Sequence, residues 1–273
     1  MKVAVHLFLI LIGFFDPLFA QKSEEARMEM QPQIVAVFPS SDTLPANLLR
    51  MYIHFSKPMK PIDNLENIRL IDQNGNEIIG AIFNNAYELW DHKQTQLTLL
   101  FDPSRVKTGL KSHEERGRAL VNGKRYQLVI GDLQDVDGRT TIPFTKSIVV
   151  IEEDLEAPNT DSWVFRMPKA DSQTPLIVRF PERLDRLSLM QRLLLTGTEN
   201  QAIAGRVEIT NNETEWRFYP HQNWTHGDYI LYVHSRLEDP SGNNLNGLFD
   251  HKPGTLKNER EGVIETIKIK ITK

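Results

Sequence analysis

From Ile34 onward, apolar and polar residues alternate with a period of two along most of this chain. Leu49, Met51, Ile53 and Phe55 interleave with Arg50, Tyr52 and His54, and Leu97, Leu99 and Phe101 with Thr98 and Leu100. Tyr126, Leu128 and Ile130 do the same with Gln127 and Val129. The pattern returns in Leu176, Val178 and Phe180, in Trp216 and Phe218, in Tyr229, Leu231 and Val233, and in Ile267, Ile269 and Ile271. Successive strand side chains point to opposite faces, so this alternation predicts half-buried strands with one face on a core and one in water. The spacing predicts about seven strands in each half of the chain, the density of an all-β sandwich.

The two halves repeat each other. Leu49-Arg50-Met51-Tyr52-Ile53-His54-Phe55-Ser56-Lys57-Pro58-Met59 is echoed by Leu176-Ile177-Val178-Arg179-Phe180-Pro181-Glu182-Arg183-Leu184, each a strand ending on Phe, then a polar break and an apolar residue. Gly123…Tyr126…Leu133-Gln134-Asp135-Val136-Asp137-Gly138 is echoed by Gly227…Tyr229…Leu237-Glu238-Asp239-Pro240-Ser241-Gly242. A repeat at so long a period indicates duplicated domains rather than a solenoid. Asp239, Pro240 and Gly242 occupy the first, second and fourth positions of a type I turn, and Asp135…Gly138 and Asp72…Gly75 keep the Asp and the Gly. Asp135, Gly138, Asp239 and Gly242 are therefore structural turn residues in this reading. The aspartates cap nearby backbone N–H groups, the glycines take a positive φ, and each pair serves its own unit.

The segment before the repeats has another character. Lys2, the apolar run Val3–Phe15 and the small residue Ala20 predict a cleaved secretory signal over 1–20, too short to span a bilayer. A polar tether over 21–32, a first domain over 33–152, a linker over 153–161 and a second domain over 162–273 follow. The acidic stretch Glu152–Asn159, which contains Pro158, is expected to hinge the copies. Two segments break the symmetry: 104–122, with a short helix expected around His113–Leu120, and the long loop 243–262 before the last strand.

Composition narrows the function classes. The chain has no cysteine, so neither a disulfide framework nor a lipid-modified cysteine is available, and stability rests on hydrophobic cores. A net charge of −4 with both signs interspersed lacks the basic excess of a nucleic-acid binder. No second apolar run reaches membrane-spanning length, so no membrane span is expected in the mature chain.

With both repeats laid out, the chain resembles the bacterial Ig-like domain of the SbsA type. Phe-Ser-Lys-Pro-Met at 55–59 and Leu-x-Asp-x-x-Gly-Asn at 237–243 carry the likeness. Phe55, Pro58, Met59, Asp72, Gly75, Tyr126, Asp135 and Gly138 match in the first copy. Tyr229, Asp239, Gly242 and Asn243 match in the second, which departs at Pro181-Glu182-Arg183. The resemblance implies two tandem Ig-like β-sandwich domains, exported or on the cell surface, used as spacers, adhesive units or accessory domains, and it brings no catalytic residues.

The candidate chemistry is sparse. Histidines at 54, 92, 113, 221, 226, 234 and 251 lack the ligand spacing of a zinc site, and His113-Glu114-Glu115-Arg116 lacks the second histidine of a zinc helix. A copper-type periplasmic protein is the alternative from another class; Met28 and Met30 are the ligand-like pair for it. Asp132, Asp135 and Asp137 crowd one turn without the twelfth-position Glu of a calcium loop, and solvated turn aspartates account for them. Trp90 and Trp216 read as core residues, whereas Trp224 and His226 form the candidate surface-binding pair. Asn212-Glu213-Thr214 and Asn223-Trp224-Thr225 match a glycosylation sequon that is frequent by chance. Nucleophile-elbow and phosphate-loop motifs are absent, and the carboxylate pairs Glu114-Glu115 and Glu152-Glu153 sit in charged loops. The sequence thus predicts an exported, non-catalytic binding or structural module, secreted or periplasmic, without catalytic residues, cofactor or metal. Its expected partner is a protein or a cell-envelope glycan. A cell-envelope hydrolase or carbohydrate-binding accessory protein ranks behind.

Overall fold

The computed structural model describes residues 31–62, 64–84, 89–197, 199–251 and 262–273. The predicted signal, Met28 and Met30 lie outside them, as does 252–261 of the long loop. Strands dominate. The first half contains β1 (Ile34–Phe38), β2 (Thr43–Pro45), β3 (Arg50–Phe55), β4 (Ile68–Asp72), β5 (Gln96–Leu100), β6 (Arg125–Ile130) and β7 (Phe144–Ile151). The second half contains β8 (Val164–Arg166), β9 (Leu176–Arg179), β10 (Leu193–Thr196), β11 (Gly205–Thr210), β12 (Glu215–Pro220), β13 (Gly227–His234) and β14 (Ile264–Ile271).

These strands form four sheets, in the orders β1-β3-β5, β2-β7-β6-β4, β11-β12-β9-β8 and β10-β13-β14. Each half is a sandwich of a three-stranded and a four-stranded sheet over its own core. Met51, Ile53, Phe55, Leu97, Leu99, Leu128 and Ile148 pack in one core; Leu176, Val178, Phe180, Trp216, Leu231 and Ile269 pack in the other. The wiring repeats as well. β1-β3-β5 has its counterpart in β8-β9-β12, and β4-β6-β7 in β10-β13-β14. The parallel pairing of β2 with β7 shrinks in the second unit to a single parallel bridge between Lys169 and Thr272.

The first symmetry-breaking segment holds two short helices, α1 (Pro103–Val106) and α2 (Lys111–Arg116). Pro103 suits the first turn of α1, where its missing N–H costs nothing, and the Asp102 side chain accepts from Ser104 N. The helix expected around His113–Leu120 is in fact shorter and begins earlier; it stops at Arg116, before Gly117, and Leu120 packs in the core beyond it. In the second unit α3 (Arg186–Gln191) follows β9 and is capped by the Asp185 side chain, which accepts from Ser188 N at 2.8 Å. The Asp239–Gly242 turn, the linker and the two segments that break the repeat gather where the two sandwiches meet, whereas the Asp72 and Asp135 turns bond locally.

The domain junction as candidate functional site

The two Asp-x-x-Gly turns are built alike, one between β6 and β7 and one between β13 and β14. Asp135 Oδ1 accepts from Asp137 N and Arg139 N at 3.0 and 2.8 Å, and Asp239 Oδ1 from Ser241 N and Asn243 N at 2.7 and 3.0 Å. Gly138 N and Gly242 N donate to the carbonyls of Asp135 and Asp239, with φ of +81° and +82°. Their surroundings differ. A Cβ on Gly138 would meet nothing within 4 Å, whereas one on Gly242 would sit 2.6 Å from Leu49 Cδ2 of the other sandwich. The Gly242 turn therefore does not serve its own unit alone. Asp135 is also not a solvated turn aspartate: it is 1% exposed and bonded to the Arg139 guanidinium, which together with the backbone donors holds its carboxyl below the usual range despite burial.

Half-burial was the expectation for β3, and here the structure differs. Arg50 and Tyr52, on the face opposite the core, meet the second sandwich, and the partly buried His54 lies beside them. Tyr52 is 2% exposed and donates its hydroxyl to Asp185 Oδ2 at 2.8 Å. Arg50 donates to Glu238 at 2.8 Å. The Arg186 guanidinium lies over the Phe38 ring at 4.0 Å, and the Phe38 ring packs edge-on to His54 at 5.1 Å. Burial and the nearby Arg186 push His54 below its ordinary value. Leu49 is 2% exposed yet belongs to neither core, and its N–H donates to Pro240 O at 2.9 Å. Ser40 N donates to Glu213 Oε2 at 3.0 Å, and Arg183 to Thr43 O at 3.3 Å.

The stretch expected to link the copies is hydrogen-bonded from both sandwiches. Asn47 makes two bonds with the backbone of Asp154, donating to its carbonyl at 2.8 Å and accepting from its N–H at 2.9 Å. From the other sandwich, Asn243 Nδ2 donates to the carbonyls of Asp154 and Glu156 at 3.0 and 3.2 Å. The Ser241 hydroxyl donates to Asn47 Oδ1 at 3.1 Å and joins the two asparagine sites.

The two segments that break the repeat meet each other. Asp250, in the loop after β13, accepts from Thr108 N at 2.9 Å and from Arg118 Nη2 at 3.1 Å, both in the insertion of the first sandwich. Phe249 packs against the first sandwich's core, under Lys107 Nζ at 4.5 Å from its ring centre. Arg118 also pairs with Glu153 of the linker. The loop 243–251 is thus a strap from one sandwich onto the other.

Beside the linker lies a concentration of negative charge. Carboxylate oxygens of Asp154, Glu182 and Asp239 all lie within 4.8 Å of one another. Burial, then the neighbouring Asp154, pushes Asp239 up to about 8. Burial, then Asp154 and Glu156, pushes Glu182 up to about 7, and Asp154 is raised too. Glu238, next to Asp239, is pushed by burial up to about 7 in spite of Arg50. Three carboxylates supply only part of the roughly six to eight oxygens a calcium ion takes, so the group is first an electrostatic feature of the junction.

The candidate surface-binding pair separates. Trp224 is 2% exposed: it packs against Phe218 and Tyr229 and donates Nε1–H to Thr174 O at 2.7 Å, so its ring offers no platform. His226 is exposed on the rim of a cleft of about 540 Å³ at the end of the second sandwich. The pattern singled out the segments 104–122, 152–159 and 243–262 but not Arg118, Asp154 or Asp250 within them. Tyr52 carried a signal, being a large aromatic on the face assigned to solvent.

No family model matches the chain, and no protein of curated function matches it in sequence. Among solved structures, the N-terminal part of the bacterial S-layer protein SbsC aligns at 12% identity over 93% of this chain and 47% of that one, with a TM-score of 0.32. The S-layer protein rSbsC(31-844) aligns at 9% identity over 94% and 43%, with a TM-score of 0.30. This chain therefore spans less than half the length of either S-layer structure. Native alpha-2-macroglobulin from Escherichia coli, spanning domains MG0-NIE-MG1, aligns at 13% identity over 90% and 92%, with a TM-score of 0.28. Scores this low leave the fold to be read from the strand order itself.

Proposed function

We propose that the mature chain is an exported, non-catalytic pair of bacterial Ig-like domains of the SbsA type. It works as a rigid structural or adhesive module in the periplasm or at the cell surface, against a protein or a cell-envelope glycan. The observation that carries this reading is the meeting of strap and insertion. The segments added to each copy are spent on the other copy, through Asp250, Thr108 and Arg118. A free-swinging pair would need neither. The copper-carrying alternative gains nothing from the junction, whose gathered donors are carboxylate oxygens rather than the imidazole or thioether ligands that select copper.

The chain has no cysteine, so spin labels at Gln73→Cys and Gln222→Cys, both exposed and one in each sandwich, report the interdomain distance without background. The expected result at pH 6 is one narrow distance distribution, broadened by Asp250→Ala. A broad distribution in the otherwise unaltered chain refutes the rigid module. Mature protein recovered from the envelope should begin at or within two residues of Gln21; membrane-bound protein retaining Met1 would refute export by cleavage.

A further inference from the structure

We propose that the junction is a proton-operated latch: Asp154, Glu182 and Asp239 share protons across the linker while the sandwiches are docked, and losing them releases the linker. This rests on the docked pair described above and adds its regulation. The three groups come from different elements, Asp154 from the linker, Glu182 from the segment after β9 and Asp239 from the β13–β14 turn, with carboxylate oxygens within 4.8 Å of one another. Carboxylates so close cannot all be ionised without a large cost. The cluster can hold protons, or it can come apart, and Asp154 leaves it when the linker leaves. Asn47 and Asn243 hold that linker by its backbone.

The surrounding cations are committed elsewhere. Arg50 faces Glu238 and Asp185, Arg183 faces Glu213 at 3.7 Å, and Arg186 lies over Phe38 beside His54. The linker adds Glu152, Glu153 and Glu156 on the acidic side, and Glu153 is paired with Arg118. Tyr52 donates to Asp185 and stays protonated, since burial raises its hydroxyl further.

The direction follows from the raised groups. Asp239 near 8, Glu182 near 7 and a raised Asp154 bind protons when docked that they would release near pH 4 when undocked. Docking is therefore strongest below about pH 4 as far as these groups are concerned, weakens as pH rises, and levels off above about pH 8. Each coupled proton changes the docking equilibrium about tenfold per pH unit inside that window.

The test uses the full mature chain with the Gln73→Cys and Gln222→Cys labels, in EDTA, from pH 5.5 to 9. The expected result is one short distance at pH 5.5 and a second, broader population growing toward pH 9, with the ratio changing about tenfold per unit for one coupled proton. Glu182→Gln and Asp239→Asn should each keep the pair docked to pH 9. If Asp239→Asn fails to fold, Glu182→Gln still decides, since Glu182 is half-buried and outside the turn's hydrogen bonds. One short distance at every pH overturns the latch and leaves the rigid module standing. A broad distribution at every pH overturns the rigid module and, with it, the latch. An unchanged pH response in both variants, or, in a parallel series without EDTA, closure at pH 8.5 that depends on added calcium chloride and not on pH, overturns the latch as well.

Discussion

The matched glycines Gly138 and Gly242 allow a controlled perturbation. Each has a φ near +80°, so Gly→Ala at either should cost about 1–2 kcal/mol for holding a Cβ in the left-handed region. At Gly138 the new methyl meets nothing within 4 Å, and that is the whole expected effect. At Gly242 it arrives 2.6 Å from Leu49 Cδ2 and 3.3 Å from Phe249 Cγ, well inside the roughly 3.5–4.0 Å of a normal carbon contact. Overpacking of this kind typically adds about 1–3 kcal/mol, which brings Gly242→Ala to about 2–5 kcal/mol. Urea unfolding of the full chain, followed by tryptophan fluorescence, measures both. A cycle with Leu49→Ala isolates the contact: the pair Leu49→Ala/Gly242→Ala should be less destabilised than the sum of its singles, while Leu49→Ala/Gly138→Ala should be additive within about 0.5 kcal/mol. Equal costs for the two glycine substitutions, or additivity in both cycles, would refute the packing of the Gly242 turn against the first sandwich.

Two further outcomes concern the cores and the acid limb. Phe180→Ala and Trp224→Ala remove rings that are 6% and 2% exposed and should each cost about 3–5 kcal/mol by the same denaturation assay; an unchanged Trp224→Ala midpoint would return that ring to the surface. Asp135 is held below the usual range by Arg139 and its turn, and Glu215 by hydrogen bonds from Arg179 and Arg217. Their stabilisation is present above about pH 4 and is lost as pH falls through the depressed values, so thermal melts should drop steeply below pH 4 and less steeply in Asp135→Asn.

The strand ladder was legible because each sandwich buries one face of its strands, and period two records that burial directly. Phe55, Leu97, Leu128, Leu176 and Leu231 all fall on the core side that their alternation assigned. The turn geometry was legible because Asp and Gly are demanded locally, whatever the rest of the molecule does. The junction was not. Its residues are polar and far apart in sequence, and Arg50 finds Glu238 across 188 positions. Alternation placed Arg50 and Tyr52 in solvent, the correct reading of an isolated strand and the wrong one for a strand covered on both faces. Trp224 misled for the opposite reason: it lies in a turn region among polar neighbours, while its ring reaches back under Tyr229.

Most of what crosses the junction is hydrogen bonds and ion pairs, and the two hydrophobic cores stay separate. A hydrogen bond contributes only about 0.5–1.5 kcal/mol net, and a buried ion pair can cost as much in desolvation as it returns. Contacts of this kind hold two domains only if bringing them together costs little entropy, and the chain provides for that with two tethers. The linker is one and the strap is the other. The strap is itself held in shape, Phe249 N donating to Asn243 Oδ1 at 3.0 Å, so its contacts form at high effective concentration once the linker has brought the sandwiches together. Arg118, whose side chain is 9% exposed, bonds Glu153 on the linker and Asp250 on the strap, so a single guanidinium holds both tethers. A merged apolar core would lock the pair beyond the reach of a few protons. A junction of doubly tethered polar contacts is stiff and yet poised, which is the condition a charge cluster needs if it is to tip the balance.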